Sequence, residues 1–168
     1  EIGTLNQIVH LWSYDDLNDR ADARARLSQN ADWANEYVAY VKPLIRRQQI
    51  RLMHPRLPLK EVSGEGHVYE YRYYKTHMGA APAFIKAISD AMPARERHSQ
   101  NVCLWHTEAE NPNEVSHMWV YEDLAHRTQA RANAMADPDW LAFLGEAGQH
   151  LEEMQNMLLL PAAFSPLK

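Results

Sequence analysis

Two short stretches gather side chains that could do chemistry. In His117-Met118-Trp119-Val120-Tyr121 an imidazole, an indole and a phenol recur at every second residue, which puts them on one face of a β-strand. In Val68-Tyr69-Glu70-Tyr71-Arg72-Tyr73-Tyr74 the same spacing sets Glu70 beside Arg72, close enough to pair as ions. An imidazole that titrates near neutral pH and a phenol, set by a carboxylate–guanidinium pair among aromatic walls, could orient a small anionic or aromatic ligand. His117 and Tyr121 would then be the acid–base residues, and Glu70, Arg72 and Trp119 would hold the ligand. His10, Trp12 and Tyr14 repeat the first pattern and are expected to line the same kind of surface. These residues also have a plain structural use. Trp and Tyr on a central strand pack a core, a neighbouring His is a satisfied buried donor, and a Glu–Arg pair neutralises itself.

The elements that must position them are written twice. His10–Leu17 and His117–Leu124 match at an offset of 107 (117 − 10), and Trp33 with Trp140, Gln48 with Gln155 and Leu52 with Leu159 keep that offset. One structural unit is used twice. Ile8–Tyr14 reads as a central strand, followed by a helix over 17–28. Trp33, Tyr37, Val41, Leu44, Ile45 and Gln48 make a second helical stripe, and a short strand follows over 50–53. Pro58, just after Pro55, and Ser63-Gly64-Glu65-Gly66 mark 56–66 as a linker. From His67 the order is strand, helix (Ala80 to Met92, limited or kinked by Pro93), strand 102–107, strand 115–121, helices opened by Asp123 and by Asp137-Pro138, and strand 156–160. Residues 67–168 thus form a complete β-α-β-β-α-β unit of the ferredoxin-like kind, with strand order four-one-three-two. Residues 1–55 supply only its second half, β-α-β. The strand matching His67 would begin near position −40 (67 − 107), so the first unit is expected to be incomplete and its open strand edges to be filled by a further segment or another chain. Tyr69, Tyr71 and Tyr73 oppose Glu70 and Arg72 and are expected to face the helices, and Trp33 and Trp140 to staple helices to the sheet.

Composition excludes several functions. A net charge of −5 argues against a general nucleic-acid surface, and Arg46, Arg47, Arg51 and Arg56 read as a solvated helix end. The nine histidines show no His-Glu-x-x-His and no pair three or four apart, so no metal is expected, and no cofactor. Cys103 is the only cysteine, which suits a reducing compartment; no basic residue on its strand face activates it. No segment approaches the ~20 apolar residues of a membrane span.

Glu1-Ile2-Gly3-Thr4-Leu5-Asn6-Gln7 with His10-Leu11-Trp12 and Tyr14, Tyr69-Glu70-Tyr71-Arg72, and the ending Gln155–Pro161 through Phe164–Lys168 resemble the signature of the NIPSNAP family over nearly the whole chain. The second copy departs from it, with Glu108–Glu114 in place of the Gly-Thr-Leu turn. The resemblance implies an α+β protein in which two ferredoxin-like sheets face each other as a dimeric α/β barrel. It implies a small molecule held between the sheets, in the manner of cofactor-free monooxygenases and isomerases. The other function class is an interaction or scaffold protein of the vesicle or mitochondrial signalling type. The expected partners are an unknown small molecule and a second copy or the missing N-terminal segment. The expected compartment is the cytoplasm, or the mitochondrion for a eukaryotic source.

Overall fold

The computed structural model describes residues 5–168; Glu1–Thr4, which hold most of the Gly-Thr-Leu turn, lie outside the described residues. The chain divides into two compact units, Asn6–Ile50 and Arg51–Lys168 together with Leu5.

Within the first unit, Ile8–Tyr14 forms no strand, which corrects the expectation. The alternation of Ile8, His10, Trp12 and Tyr14 suits a pleat, but a strand exists only through hydrogen bonds to a neighbour. No described residue supplies that neighbour, and Ile8 and Trp12 stay 81% and 71% exposed. Helix α1 (Leu17–Ser28) forms where expected. Its start is local chemistry: the Asp16 carboxylate accepts from the Asn18 and Asp19 backbone N–H groups at 2.7 and 2.8 Å, an N-cap. Asn30 Oδ1 then accepts from the Trp33 N–H at 2.8 Å. The chain continues as a π-helical turn over Trp33–Val38, α2 (Ala39–Val41) and a 3-10 turn over Lys42–Leu44. Trp33 stacks on Tyr37 with ring centroids 4.2 Å apart, while Leu44 and Ile45 of the same stripe remain exposed.

The second unit is α+β around a five-stranded antiparallel sheet. Its elements are β1 (Leu52–Pro55), β2 (Val68–Thr76), α3 (Ala81–Glu96), β3 (Asn101–Ala109), β4 (Glu114–Tyr121), α4 (Leu124–Ala134), α5 (Pro138–Ala147) and β5 (Leu151–Leu159). The sheet order is β1-β3-β4-β2-β5, so the four strands after the linker adopt the four-one-three-two arrangement. Helix α3 runs through Pro93 to Glu96 rather than ending at it. The fourth of these strands starts five residues earlier than expected, at Leu151. β1, read from sequence as the last strand of the first unit, hydrogen-bonds instead to the β3 edge, with Met53 opposite Thr107 and His54 opposite His106. The chain stays on that edge afterwards, since the Arg56 and Lys60 N–H groups donate to the Leu104 and Val102 carbonyls at 2.7 and 2.9 Å. An otherwise open strand edge is thereby covered.

Two cores sandwich the sheet. Phe84, Ile88 and Met92 of α3, Ala130 of α4 and Phe143 of α5 pack on Tyr74, Leu104, Val115, Trp119 and Tyr121. The opposite face holds Tyr69, Tyr71, Trp105, Met118 and Val120 packed with Met53, Val62 and Leu167, and among the described residues of this unit no helix covers it.

Candidate functional site

The sheet brings the five expected residues of the second unit together. Arg72 lies opposite His117 and Glu70 opposite Trp119 across β2 and β4, with Asn156 and Leu158 flanking them on β5. Their face is the helix-covered one, and the tyrosines look the other way. Both assignments reverse the expectation from sequence. Either face is apolar enough to be a core, so alternation alone could not choose between helices and barrel. The charge at position 70 does choose. A buried carboxylate must find cations, and beyond its strand neighbour Arg72 those that reach it, Arg127 and Arg131, stand on α4. Trp140 packs on Phe143 at 4.7 Å between ring centroids, as a staple within the helical layer.

Glu70 is fully buried and its two oxygens are saturated. Oε1 accepts from Arg72 Nη1 at 2.6 Å, Asn156 Nδ2 at 2.9 Å and Arg127 Nη2 at 3.0 Å. Oε2 accepts from Arg127 Nε at 3.0 Å and the Tyr121 hydroxyl at 3.3 Å, and Arg131 Nη1 stands 3.7 Å from Oε1. Burial alone would raise the carboxyl's pKa. The Arg127 hydrogen bond, the Arg72 charge and the Asn156 amide outweigh burial and hold it down at about 2. Glu70 is therefore an ionised anchor with no lone pair to spare as a base.

His117 is buried at 3% exposure. Its Nδ1 accepts the Trp119 indole N–H at 2.6 Å, so the neutral ring carries its proton on Nε2, an atom without a partner. Burial first, and the Arg72 charge second, push its pKa down to about 3. The imidazole is uncharged at neutral pH and poised as a donor rather than as a proton shuttle. Tyr121, 1% exposed, donates to Glu70 and accepts from Arg95 Nη2 at 3.2 Å, and burial raises its pKa. Arg95 lies over the Trp119 ring, 4.5 Å from its centroid, a cation–π contact that sequence reading missed because the helix was expected to reach only Met92 and in fact runs on to Glu96. Arg127 and Arg131 of α4 were missed as well; their (i, i+4) spacing behind the Asp123 cap was the available signal.

His10 and Trp12, in the first unit, are exposed and Tyr14 is half-buried; His10 and Trp12 meet edge to face with centroids 6.4 Å apart. On the helix-free face of the second unit, Arg51 departs from the expected solvated cluster. It donates to Glu114 Oε1 at 2.7 Å and lies over Tyr73, 4.8 Å from the ring centroid. Burial drives the Cys103 thiol up to about 11. Surface clefts of about 380 and 300 Å³ lie elsewhere, one between α3 and α5 and one at His67, Leu160 and Lys168. Among the described residues, no three His, Cys, Asp or Glu side chains gather at metal-binding distance, and no helix is long and apolar enough to cross a membrane.

A family model described as NIPSNAP matches residues 1–57 and 69–166. Protein NipSnap homolog 3A of Homo sapiens is 29% identical over 170 residues, spanning 99% of this chain and 68% of its own length. Protein NipSnap homolog 3B of Homo sapiens is 30% identical over the same span. Among solved structures, protein Atu4242 from Agrobacterium tumefaciens shares 36% identity at a TM-score of 0.58, covering 60% of this chain and 99% of its own. A putative monooxygenase from Lactobacillus acidophilus NCFM reaches a TM-score of 0.60 at 17% identity, over 84% of this chain and 66% of that one; at that identity the likeness is one of fold.

Proposed function

Because the chain belongs to the NIPSNAP family, we propose that it acts as an interaction protein whose first unit, Asn6–Ile50, takes a polypeptide strand beside Ile8–Tyr14. One contrast carries this reading. His117, Trp119 and Tyr121 are 3%, 2% and 1% exposed, whereas Trp12, in the matching block, is 71% exposed and its neighbour Leu11 43%. A sequence that is buried when flanked by two strands is left open in the first unit. Covering Ile8, Leu11 and Trp12 would contribute roughly 2 kcal/mol each, enough to offset part of the cost of ordering a partner strand. Hydrogen exchange on the dilute full chain tests it. The amides of Ile8–Tyr14 exchange rapidly in the monomer while those of Val115–Tyr121 are protected. Equal protection of both segments in the monomer would refute the reading.

A second reading rests on the Glu70 cluster. The guanidiniums of Arg72, Arg127 and Arg131 surround one carboxylate, Arg95 reaches it only through the Tyr121 hydroxyl, and the Arg131 side chain is 43% exposed, leaving surplus positive charge near the unpaired Nε2 of His117. A small anion held there by Arg131 would be the ligand, with Arg72, His117, Trp119 and Tyr121 behind it, on the helix side of the sheet. Titration with inorganic phosphate and citrate, against wild type and Arg131→Ala, separates the two readings: loss of saturable binding in the variant supports a ligand site, and no binding to wild type removes it.

A further inference from the structure

A groove of about 380 Å³ runs between α3 and α5, on the helical layer of the second unit. Each helix gives it a stripe at (i, i+3, i+4, i+7) spacing, which is one helix face. Ala87, Asp90, Ala91 and Ala94 come from α3, and Asp139, Ala142, Phe143 and Glu146 from α5. The floor is therefore alanine methyls over Phe143, itself part of the core. Floor residues this small let a third backbone come close. The rim is acidic: its carboxylates are Asp90, Asp139 and Glu146, and its cation is Arg97. Arg97 is already committed, since its Nη2 donates to Asp137 and to Asp139 Oδ2 at 2.8 Å, tying the two helices at one end of the groove. Asp90 and Glu146 stand roughly two turns further along their helices. Asp90 meets Lys86 of its own helix, with both side chains more than half exposed, a pair of little strength. Glu146 is exposed and forms no ion pair among the described residues. Pro93 also lines the groove; it has no N–H to close on the Ser89 carbonyl, which adds a backbone acceptor.

We infer that the groove between α3 and α5 is a docking surface for a cationic amphipathic helix of another protein. The apolar stripe of that helix lies on Ala91, Ala94 and Ala142, the helix-in-groove mode of recognition. A lysine or arginine on either flank reaches Asp90 and Glu146, its methylene stem running over the alanine floor. The sign of the rim chooses the partner. Phosphate-bearing polymers and anionic lipid surfaces are repelled, whereas basic side chains supply the donors that the carboxylates and the Ser89 carbonyl call for. This surface belongs to the second unit and is independent of the strand receptor proposed for the first.

The probe is a fluorescein-labelled, alanine-based helical peptide with arginines flanking its apolar stripe, titrated into the full chain and followed by anisotropy. Saturable binding that weakens with added salt is expected. Two substitutions locate it, both at exposed positions that the core does not need. Ala142→Phe fills the floor without changing any charge and should abolish binding. Glu146→Lys should weaken the arginine peptide by at least about tenfold, and a peptide with glutamate in place of arginine should bind this variant better than it binds wild type. No saturable binding to wild type, or binding that survives Ala142→Phe, would overturn the groove. Equal binding of the arginine peptide to wild type and Glu146→Lys would overturn the charge match. Sedimentation velocity without peptide reads the other occupant. Wild type and Glu146→Lys should sediment alike, and an assembly of wild type that the variant loses would give the groove to a second copy of this chain and overturn the outside partner.

Discussion

Replacing Glu70 by glutamine tests whether the buried cluster is held by charge or merely by shape. The amide keeps the size of the side chain and loses its charge, while Arg72 and Arg127, each only 17% exposed at the side chain, remain beside it. Holding the carboxyl at about 2 instead of its ordinary 4.5 corresponds to about 3 kcal/mol of charge-dependent stability. The folded pKa is depressed, so this stability is fully present above pH 4.5 and is lost as pH falls towards 2. At pH 7 Glu70→Gln should therefore be less stable by about 3 kcal/mol, which lowers the thermal midpoint by roughly 6–12 °C for a chain of this size. At pH 3 the gap should close to about 1.5 kcal/mol. Urea denaturation followed by far-UV circular dichroism at both pH values reads the difference directly, provided the slope against urea is unchanged. A variant as stable as wild type at pH 7 would show that the guanidiniums do not need their counter-ion. An equal gap at pH 7 and pH 3 would show that packing, not charge, is responsible.

His117 shifts stability with pH in the same direction, although the form the fold favours is the neutral one. Its folded pKa of about 3 lies below its ordinary 6.5, so the unfolded chain binds the extra proton and wild type loses stability as pH falls from 6.5 towards 3. The thermal midpoint of His117→Gln should fall less steeply between pH 6.5 and pH 4; parallel curves would refute the assignment. Cys103 is 1% exposed with its thiol pushed up to about 11, so a thiol reagent at pH 8 should label it only after denaturant is added, and rapid labelling of the native chain would contradict its burial.

Local chemistry was legible in the sequence and tertiary choice was not. Asp16 and Asp123 announce their helices because a cap is satisfied within three residues. β2 and β4 were readable because aromatic and β-branched residues alternate along them, and the four-one-three-two order followed from the succession of elements. Which face of β2 meets the helices was not readable, since Tyr69, Tyr71 and Tyr73 look as core-like as Val68 and Tyr74. The answer lay about 57 residues downstream, at Arg127 (127 − 70), whose guanidinium forks onto Glu70. A search for the cations a buried glutamate requires would have settled the parity that alternation left open.

The repeat also acts as an internal control on what a strand is. His10-x-Trp12-x-Tyr14 and His117-x-Trp119-x-Tyr121 share their chemistry and their following capped helix, yet only the second is a strand. The helix survives in both copies because its hydrogen bonds are internal and its cap is four residues or fewer away. The strand survives in one because its hydrogen bonds belong half to its neighbours: Met118 sits between Cys103 and Tyr71, and nothing among the described residues sits so beside Leu11. The His-x-Trp-x-Tyr pattern is common to both segments, so that pattern alone does not make the strand and the flanking strands are what differ. It follows that any molecule able to turn Ile8–Tyr14 into a strand must bring a backbone edge with it. That requirement favours a polypeptide over a small ligand as the occupant of the first unit.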